Sequence, residues 1–180
     1  LWDNDQRDSM KALVVGAGIA GLTAAVLLHR KKWDVVVLES RPVVGGNCLD
    51  HCVDDQGTGV HMHVFGPHIF HTNDERVWRF VNEFSGFTGY QHRVCAVTEL
   101  HPEPLPVPYN QLTADTLGKD LTDEEIRQAF FTTYTEKMWG MPYSSVPAAI
   151  TARVPLRRAG RDCRYFQDMY EGMAADGYSK

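Results

Sequence analysis

The chain has 180 residues and a formal net charge of −5 at pH 7, with 18 Lys and Arg against 23 Asp and Glu. Nucleic-acid-binding domains usually carry a basic stripe, so this balance argues against nucleic acid as a partner. No apolar run approaches the roughly 20 residues of a membrane helix, and the first residues lack the basic start and apolar core of a secretory signal. We therefore predict a cytoplasmic protein without a membrane partner.

Residues 1–9 precede a natural start at Met10, and we interpret them as an upstream extension or a cloning remnant. The four cysteines, which form no CxxC pair, are Cys48, Cys52, Cys95 and Cys163. This spacing favours free thiols in a reducing compartment over a disulfide framework or a closed zinc site. The length suits one ordinary domain, or one domain with a modest insertion.

The first organised stretch is a strand, a glycine-rich turn and a helix. Ala12 to Val15 are apolar residues that suit a buried parallel strand. The turn glycines have GxGxxG spacing and are Gly16, Gly18 and Gly21. In a nucleotide-binding βαβ unit they allow a tight turn, approach to a pyrophosphate and close helix packing, with the phosphates at the helix N-terminus. A second apolar strand, Val35 to Leu38, ends at Glu39, whose carboxylate can accept hydrogen bonds from ribose hydroxyls. A βαβ unit without a ligand is the alternative.

A second glycine loop, Gly45-Gly46-Asn47, follows closely. Adjacent glycines free the backbone to approach a ligand, which makes this loop a second candidate cofactor contact. Gly-Gly pairs are also common in ordinary turns, so both interpretations stay open.

Four of the eight histidines fall within eleven positions. Residues 59–65 alternate in polarity, so a strand there would place His61 and His63 on one face. His68 and His71 follow a Gly-Pro turn. These histidines could face a ligand, or they could be hydrogen-bonded core side chains without any metal.

Two capping boxes, Thr72 to Glu75 and Thr122 to Glu125, predict two helix starts. Four alternating prolines at 102–108 are expected to break regular structure between these helices. The second helix is expected to run to about Lys137, and the aromatic residues near its end are Phe130, Phe131, Tyr134 and Trp139. Core packing would explain the phenylalanines, and a base-stacking platform would explain why Tyr134 and Trp139 cluster with them.

The last segment of this acidic protein carries a run of arginines, namely Arg153, Arg157, Arg158, Arg161 and Arg164. Such a run is usually a solvated face. Beside a nucleotide site, one or two of these arginines would suit a diphosphate, because a guanidinium binds paired oxygens in a fork.

The most specific block of the sequence is His63 to Thr72, which reads HVFGPHIFHT. Further blocks, in chain order, are Val15-Gly16-Ala17-Gly18 with Gly21, Gly45-Gly46-Asn47 with Asp50, Val77-Trp78, Arg93-Val94, Leu105-Pro106, Phe130-Phe131, Tyr134-Thr135, Trp139-Gly140-Met141, Pro147-Ala148, Arg153 and Tyr165-Phe166. In this order they resemble the UDP-galactopyranose mutase family. The resemblance covers the N-terminal half of the family's usual length, with a shortened helical insertion.

The resemblance implies an α/β fold with a Rossmann-like FAD-binding βαβ core and a small helical insertion. It implies an isomerase that interconverts an NDP-galactopyranose and an NDP-galactofuranose, with reduced FAD as a covalent catalyst instead of an electron carrier. The cofactor contacts would be Gly16, Gly18, Gly21, Glu39, Gly46 and Asn47.

The same resemblance places His68 and His71 beside the flavin, as catalytic residues together with Arg153. Phe130 and Tyr134 look like the base-stacking pair, and Trp139 looks like the wall beside the sugar. Arg153 and Tyr165 look like contacts to the diphosphate. No residue is assigned as a metal ligand.

Two alternatives stay open. One is a flavin-independent relative that uses a divalent metal as Lewis acid, and the other is a nucleotide-binding remnant without activity. The expected substrate is a UDP- or GDP-hexose. The chain is expected to be either a fragment of a full enzyme or a short version that completes its site by self-association, and we expect a homo-oligomer. We expect the dinucleotide-binding core at 10–100, a Pro-rich linker and helical substrate segment at 101–150, and a return segment at 151–180.

Overall fold

The computed structural model describes residues 10–53, 59–152, 154 and 156–179. These residues form two compact units. The first unit comprises the chain through Gly89 together with the segment from Tyr170 onward, and the second unit spans Tyr90–Met169. Residues 1–9, interpreted above as an extension, lie outside the described residues.

The first unit begins with the predicted βαβ unit. Its elements are β1 (Lys11–Val15), α1 (Ile19–Arg30) and β2 (Asp34–Leu38). The two strands pair in parallel, with Leu13 opposite Val36. The predicted α/β fold with a Rossmann-like βαβ unit is confirmed, because a parallel pair needs a crossover and α1 supplies it.

Only one face of this parallel pair is covered within the described residues. Val14 lies beneath the first turn of α1, where its Cγ1 would be 3.3 Å from a Cβ atom built on Gly21. The opposite face carries apolar side chains that are 51–80% exposed, namely Leu13, Val15, Val36 and Leu38. The expectation of buried strands is therefore wrong for this face.

The rest of the first unit consists of two antiparallel strand pairs and a helix. β3 (Asp50–Val53) pairs with β4 (Val60–His63), and β5 (Phe70–Thr72) pairs with β8 (Tyr170–Gly172). The helix is α2 (Glu75–Val81). Trp78 of α2 stacks on Tyr170 with ring centroids 5.1 Å apart, and this contact ties α2 to β8.

The start of α2 differs from the predicted capping box. The N-cap is Asp74, whose carboxylate accepts hydrogen bonds from the backbone N–H groups of Arg76 and Val77. Thr72 lies in β5, and its hydroxyl accepts from the N–H of Asp74 instead. The pairing of Thr72 with Tyr170 keeps it extended, so the helix begins two residues after the predicted cap.

The second unit contains an antiparallel pair, β6 (Val94–Thr98) and β7 (His101–Val107), in which Ala96 lies opposite Leu105. The expectation that the prolines break regular structure is wrong for 102–106, since these residues lie within β7. Alternate N–H groups of a strand point to opposite edges. Prolines at every second position therefore remove donors from one edge alone, which we infer to be the edge away from β6.

The helices of the second unit are α3 (Gln111–Leu117), α4 (Asp123–Ile126), α5 (Thr133–Trp139) and α6 (Ala148–Thr151). The capping box at Thr122 and Glu125 is confirmed at the start of α4. A π-helical segment, Arg127–Thr132, joins α4 to α5, and Gly140 ends α5 in the left-handed conformation. The core of the unit is formed by Leu105, Val107, Tyr109, Ala114, Leu121, Ile126 and Phe130.

No helix in the described part of the chain is long and apolar enough to cross a membrane.

Candidate functional site

The two glycine loops of the first unit meet. The backbone N–H of Gly45 donates to the carbonyl of Ala17 at 2.8 Å, and Gly18 and Gly45 form an isolated parallel bridge. Gly46 has φ +61°, and a Cβ atom there would lie 2.8 Å from the Cα of Gly18. The second glycine pair is thus a close backbone contact to the first loop, which an ordinary turn does not require.

The first loop also depends on glycine for its own packing. Gly16 has φ +98°, a conformation that favours glycine, and a Cβ atom on Gly21 would lie 2.0 Å from the Gly16 carbonyl oxygen. Gly18 is the N-cap of α1 and supplies no side chain to cap it. The first N–H groups of a 12-residue helix therefore face the loop without a side-chain acceptor, as an anion-binding helix terminus does.

Glu39 closes this loop from the end of β2. Its Oε2 accepts from the Ala17 N–H at 2.8 Å, and its Oε1 accepts from the Arg41 N–H at 3.0 Å and the Ser40 hydroxyl at 3.2 Å. The hydrogen bonds from the Ala17 and Arg41 N–H groups lower the pKa of Glu39 to about 2. The carboxylate is ionised at neutral pH and keeps lone-pair capacity for a further donor. Asn47 lies in a one-turn 3-10 helix, Gly46–Cys48, and is exposed.

The predicted histidines of the first unit lie in different surroundings. His61 and His63 are half-buried on one face of β4, whereas Val60 and Met62 are exposed. His68 is half-buried, and its Nε2 is buried without a hydrogen-bond partner among the described residues. His71 is an exposed residue of β5, opposite Glu171 of β8.

Asp50 and Tyr178 are two residues beside these histidines that the sequence did not single out for a role. Asp50 is 4% exposed, and its carboxylate accepts from the N–H groups of Tyr178 (2.7 Å) and Ser179 (2.9 Å). Burial alone would raise the pKa of Asp50, but the hydrogen bonds from Tyr178 and Ser179 outweigh burial and lower it. A buried aspartate at the start of a strand gives no sequence signal of its partners, because they lie more than 120 positions away.

In the second unit, the predicted substrate residues differ in accessibility. Phe130 is 7% exposed and packs edge-to-face on Tyr109 at 6.0 Å, whereas Tyr134 is 66% and Trp139 is 46% exposed. Tyr165 is half-buried, and its ring meets His92 edge-on at 5.6 Å. The structure therefore leaves the rings of Tyr134 and Trp139 open to solvent and places Phe130 in the core.

Arg153, the predicted diphosphate contact, lies outside the described residues. The other arginines of this segment are engaged within the second unit. Arg157 donates to the backbone carbonyls of Arg164 and Tyr165, and Arg158 pairs with Asp120 and Asp123. Arg161 pairs with Asp115, and Arg164 pairs with Asp162. These pairings account for the basic run by contacts inside the chain.

Across the described ranges, no group of three or more His, Cys, Asp or Glu side chains is arranged to hold a metal ion. The four cysteines are free thiols, and burial raises the pKa of Cys48.

The βαβ unit with its two glycine loops places the first unit in the Rossmann-like class of α/β folds. Residues 14–84 match the family model described as NAD(P)-binding Rossmann-like domain, and residues 129–180 match the one described as UDP-galactopyranose mutase. The predicted resemblance is confirmed, and the chain is related to the UDP-galactopyranose mutase family.

Among curated proteins, the chain is similar to the dTDP-fucopyranose mutase of Escherichia coli, with 32% identity over 94% of this chain and 52% of that protein. It is also similar to a probable UDP-galactopyranose mutase of Klebsiella pneumoniae, with 33% identity over 93% of this chain and 50% of that protein. A probable zeta-carotene desaturase of Synechococcus elongatus is 33% identical over 63% of this chain and 25% of that protein. The chain thus spans about half the length of the mutases that it matches.

Proposed function

We propose that this chain carries the cofactor-binding and substrate-binding residues of a sugar-nucleotide mutase, an isomerase that interconverts the pyranose and furanose forms of an NDP-hexose. The observation that carries the proposal is the extent of the similarity. Proteins named as mutases match 93–94% of the chain, whereas the desaturase matches 63% of it. The part of the chain that matches the desaturase is consistent with a common dinucleotide-binding fold. The rest of the chain, which the mutase matches also cover, favours the mutases.

The residues of the first unit fit FAD as the dinucleotide. Gly16, Gly18 and Gly21 would hold the pyrophosphate at the N-terminus of α1, with Gly46 and Asn47 on the facing loop. The ionised carboxylate of Glu39 is ready to accept hydrogen bonds from ribose hydroxyls. When bound in its reduced form, the flavin supplies a nucleophilic ring nitrogen for covalent catalysis without net redox change. We propose that His68 and His71 lie beside the flavin.

The second unit supplies the proposed contacts to the nucleotide sugar. Tyr134 is the proposed stacking ring for the base, because its ring is exposed while Phe130 is packed in the core. Trp139 is proposed beside the sugar, and Arg153 and Tyr165 beside the diphosphate, where Arg153 would be a catalytic contact. The names of the related mutases contain UDP and dTDP, so we propose a pyrimidine nucleoside diphosphate in preference to GDP.

The test incubates the purified full chain with FAD and dithionite, adds UDP-galactofuranose or dTDP-fucofuranose, and follows pyranose formation by chromatography. We expect product only with reduced FAD. Tyr134→Ala should raise KM about 5- to 150-fold, from roughly 1–3 kcal/mol of base stacking. The control is Thr133→Ala, an exposed neighbour on α5, which should leave KM unchanged.

Absence of product under reducing conditions, with thermal stabilisation by UDP or dTDP, would refute catalysis and support a binding-only protein. Activity that is lost in chelator and restored by a divalent metal without FAD would refute the flavin assignment.

A further inference from the structure

The peptide group of His68 is held at both ends. Its backbone N–H donates to Nδ1 of His63 at 2.9 Å, and its backbone carbonyl accepts from the Tyr178 hydroxyl at 2.9 Å. The ring of Tyr178 also meets the ring of His63 edge-on at 5.6 Å. His63 and Tyr178 therefore form one assembly around the His68 backbone, which we name the His68 clamp.

The hydrogen bonds of the clamp define where His63 and Tyr178 carry their protons. Nδ1 of His63 can accept the His68 N–H only when that nitrogen carries no proton, so His63 must be neutral with its proton on Nε2. Burial raises the pKa of Tyr178 to about 12, which keeps its hydroxyl protonated and able to donate near neutral pH.

Asp50 ties the two halves of the clamp together. The Val64 N–H donates to the Leu49 carbonyl, so these two residues form a hydrogen-bonded pair. Hydrogen-bonded pairs alternate with closer, non-hydrogen-bonded pairs in an antiparallel ladder. The next pair, Asp50 opposite His63, is therefore a close non-hydrogen-bonded pair. The Asp50 carboxylate also holds the N–H groups of Tyr178 and Ser179. Asp50 thus links β4, which carries His63, to the segment that carries Tyr178, through strand pairing on one side and its carboxylate on the other.

The clamped residue presents an atom that lacks a partner. Nε2 of His68 is buried and makes no hydrogen bond within the described ranges, while the ring stacks against His63 with centroids 6.3 Å apart. Leaving such a nitrogen unpaired is costly, so a ligand that supplies a hydrogen-bond partner would be favoured there.

We propose that His63 and Tyr178 are positioning residues that fix the His68 peptide, so that Nε2 of His68 is aimed at a hydrogen-bonding group of the bound cofactor or substrate. This inference rests on the proposed function for the identity of that ligand. The clamp itself rests on the hydrogen bonds alone.

Protonation of His63 at Nδ1 removes the acceptor, so the clamp is expected to open in acid. The titratable groups around His63 are Asp50 from β3, His61 on the same face of β4, His68 across the hydrogen bond and Tyr178 from the C-terminal segment. Opening should therefore follow protonation of His63 and be absent in a variant without an imidazole there.

The first experiment measures the full chain labelled with 15N, by histidine tautomer spectra and amide hydrogen exchange across pH. We expect an Nε2–H tautomer for His63 and slow exchange of the His68 amide that is lost in acid. His63→Leu should speed that exchange about three- to tenfold, from the loss of one hydrogen bond. His63→Asn, whose amide oxygen can stand in for Nδ1, should restore protection and remove its acid dependence.

The matched control is His51→Asn. His51 is exposed on the opposite face of the same hairpin and should leave His68 exchange unchanged. A wild-type His63 that carries its proton on Nδ1 would overturn the clamp without any variant. Equal His68 exchange in His63→Leu and His51→Asn would overturn it as well.

The second experiment titrates FAD into the same proteins and Tyr178→Phe. Loss of FAD affinity in His63→Leu and Tyr178→Phe, with recovery in His63→Asn, would support positioning toward the cofactor. Unchanged affinity for both FAD and nucleotide sugar in His63→Leu would refute it. A wild-type chain with a protected His68 amide that binds neither ligand would refute the proposed function and leave the clamp standing.

Discussion

Single residues show when a local sequence motif is enough to predict the role of a residue and when it is not. Gly21 completes a GxGxxG motif, and the structure gives the reason for its glycine, since a Cβ atom would lie 2.0 Å from the Gly16 carbonyl oxygen. Phe130 belongs to an equally clear aromatic run, yet it lies in the core while Tyr134 is exposed. The sequence shows that a ring is present, and only packing decides which ring a base could reach.

We predict that Gly21→Ala weakens both the fold and FAD binding. The added methyl group must displace the backbone of the first glycine loop, which typically costs about 1–3 kcal/mol of unfolding free energy. Denaturant titration and FAD titration measure the two effects. Gly86→Ala is the matched control, because a Cβ atom there meets nothing within 4 Å and Gly86 lacks a left-handed φ. Equal losses in both variants would refute the steric explanation.

At the scale of elements, caps and strands depend on what each segment pairs with. The Thr122 capping box is local and is present as predicted. The Thr72 capping box has the same spacing, but Thr72 is already paired with Tyr170 of β8, and Asp74 caps the helix instead. The prolines of β7 likewise look like breakers in isolation and are accommodated because the strand pairs along one edge.

We predict that Asn110 stabilises the second unit through the start of α3. Its side chain is fully buried, accepts from the N–H groups of Leu112 and Thr113, and donates to the carbonyls of Pro108 and Asp162. Asn110→Ala should cost about 1–2 kcal/mol of unfolding free energy, measured by denaturant titration.

Asn110→Ser should recover part of that loss, because serine keeps a capping oxygen. Gln111→Ala, at the exposed neighbouring position, should stay within about 0.5 kcal/mol of the unchanged chain. A cap role would be contradicted if serine were no better than alanine at position 110.

At the scale of the whole molecule, the uncovered face of β1 and β2 is the main departure from expectation. Its side chains are apolar and more than half exposed within the described residues. Contiguous exposed apolar surface favours association. We therefore keep the homo-oligomer as a prediction and expect this face to take part in it.

We predict that the double variant Val15→Thr with Val36→Thr lowers binding of a hydrophobic dye and reduces self-association at high protein concentration. Both side chains are largely exposed, at 80% and 52%, so the unfolding free energy should change little. Val14→Thr is the matched control, because Val14 packs under α1 and its substitution should destabilise the chain by about 1 kcal/mol or more. Sedimentation that is unchanged by the double variant would contradict a role of this face in association.

The sequence by itself determined the βαβ unit, its glycine turn and the relation to the mutase family. The βαβ unit and its turn depend on residues that are close in the chain, where strand, turn and helix preferences agree. The relation to the mutase family rests on short motifs that follow one another in order along the chain. Only the tertiary structure decided which partners the long-range groups have. Asp50 bonds to Tyr178 and Ser179 more than 120 positions away, and Arg158 and Arg161 pair with carboxylates inside the second unit. Spacing along the chain carries no information about such contacts, because hydrogen bonds and ion pairs form between residues that folding brings together.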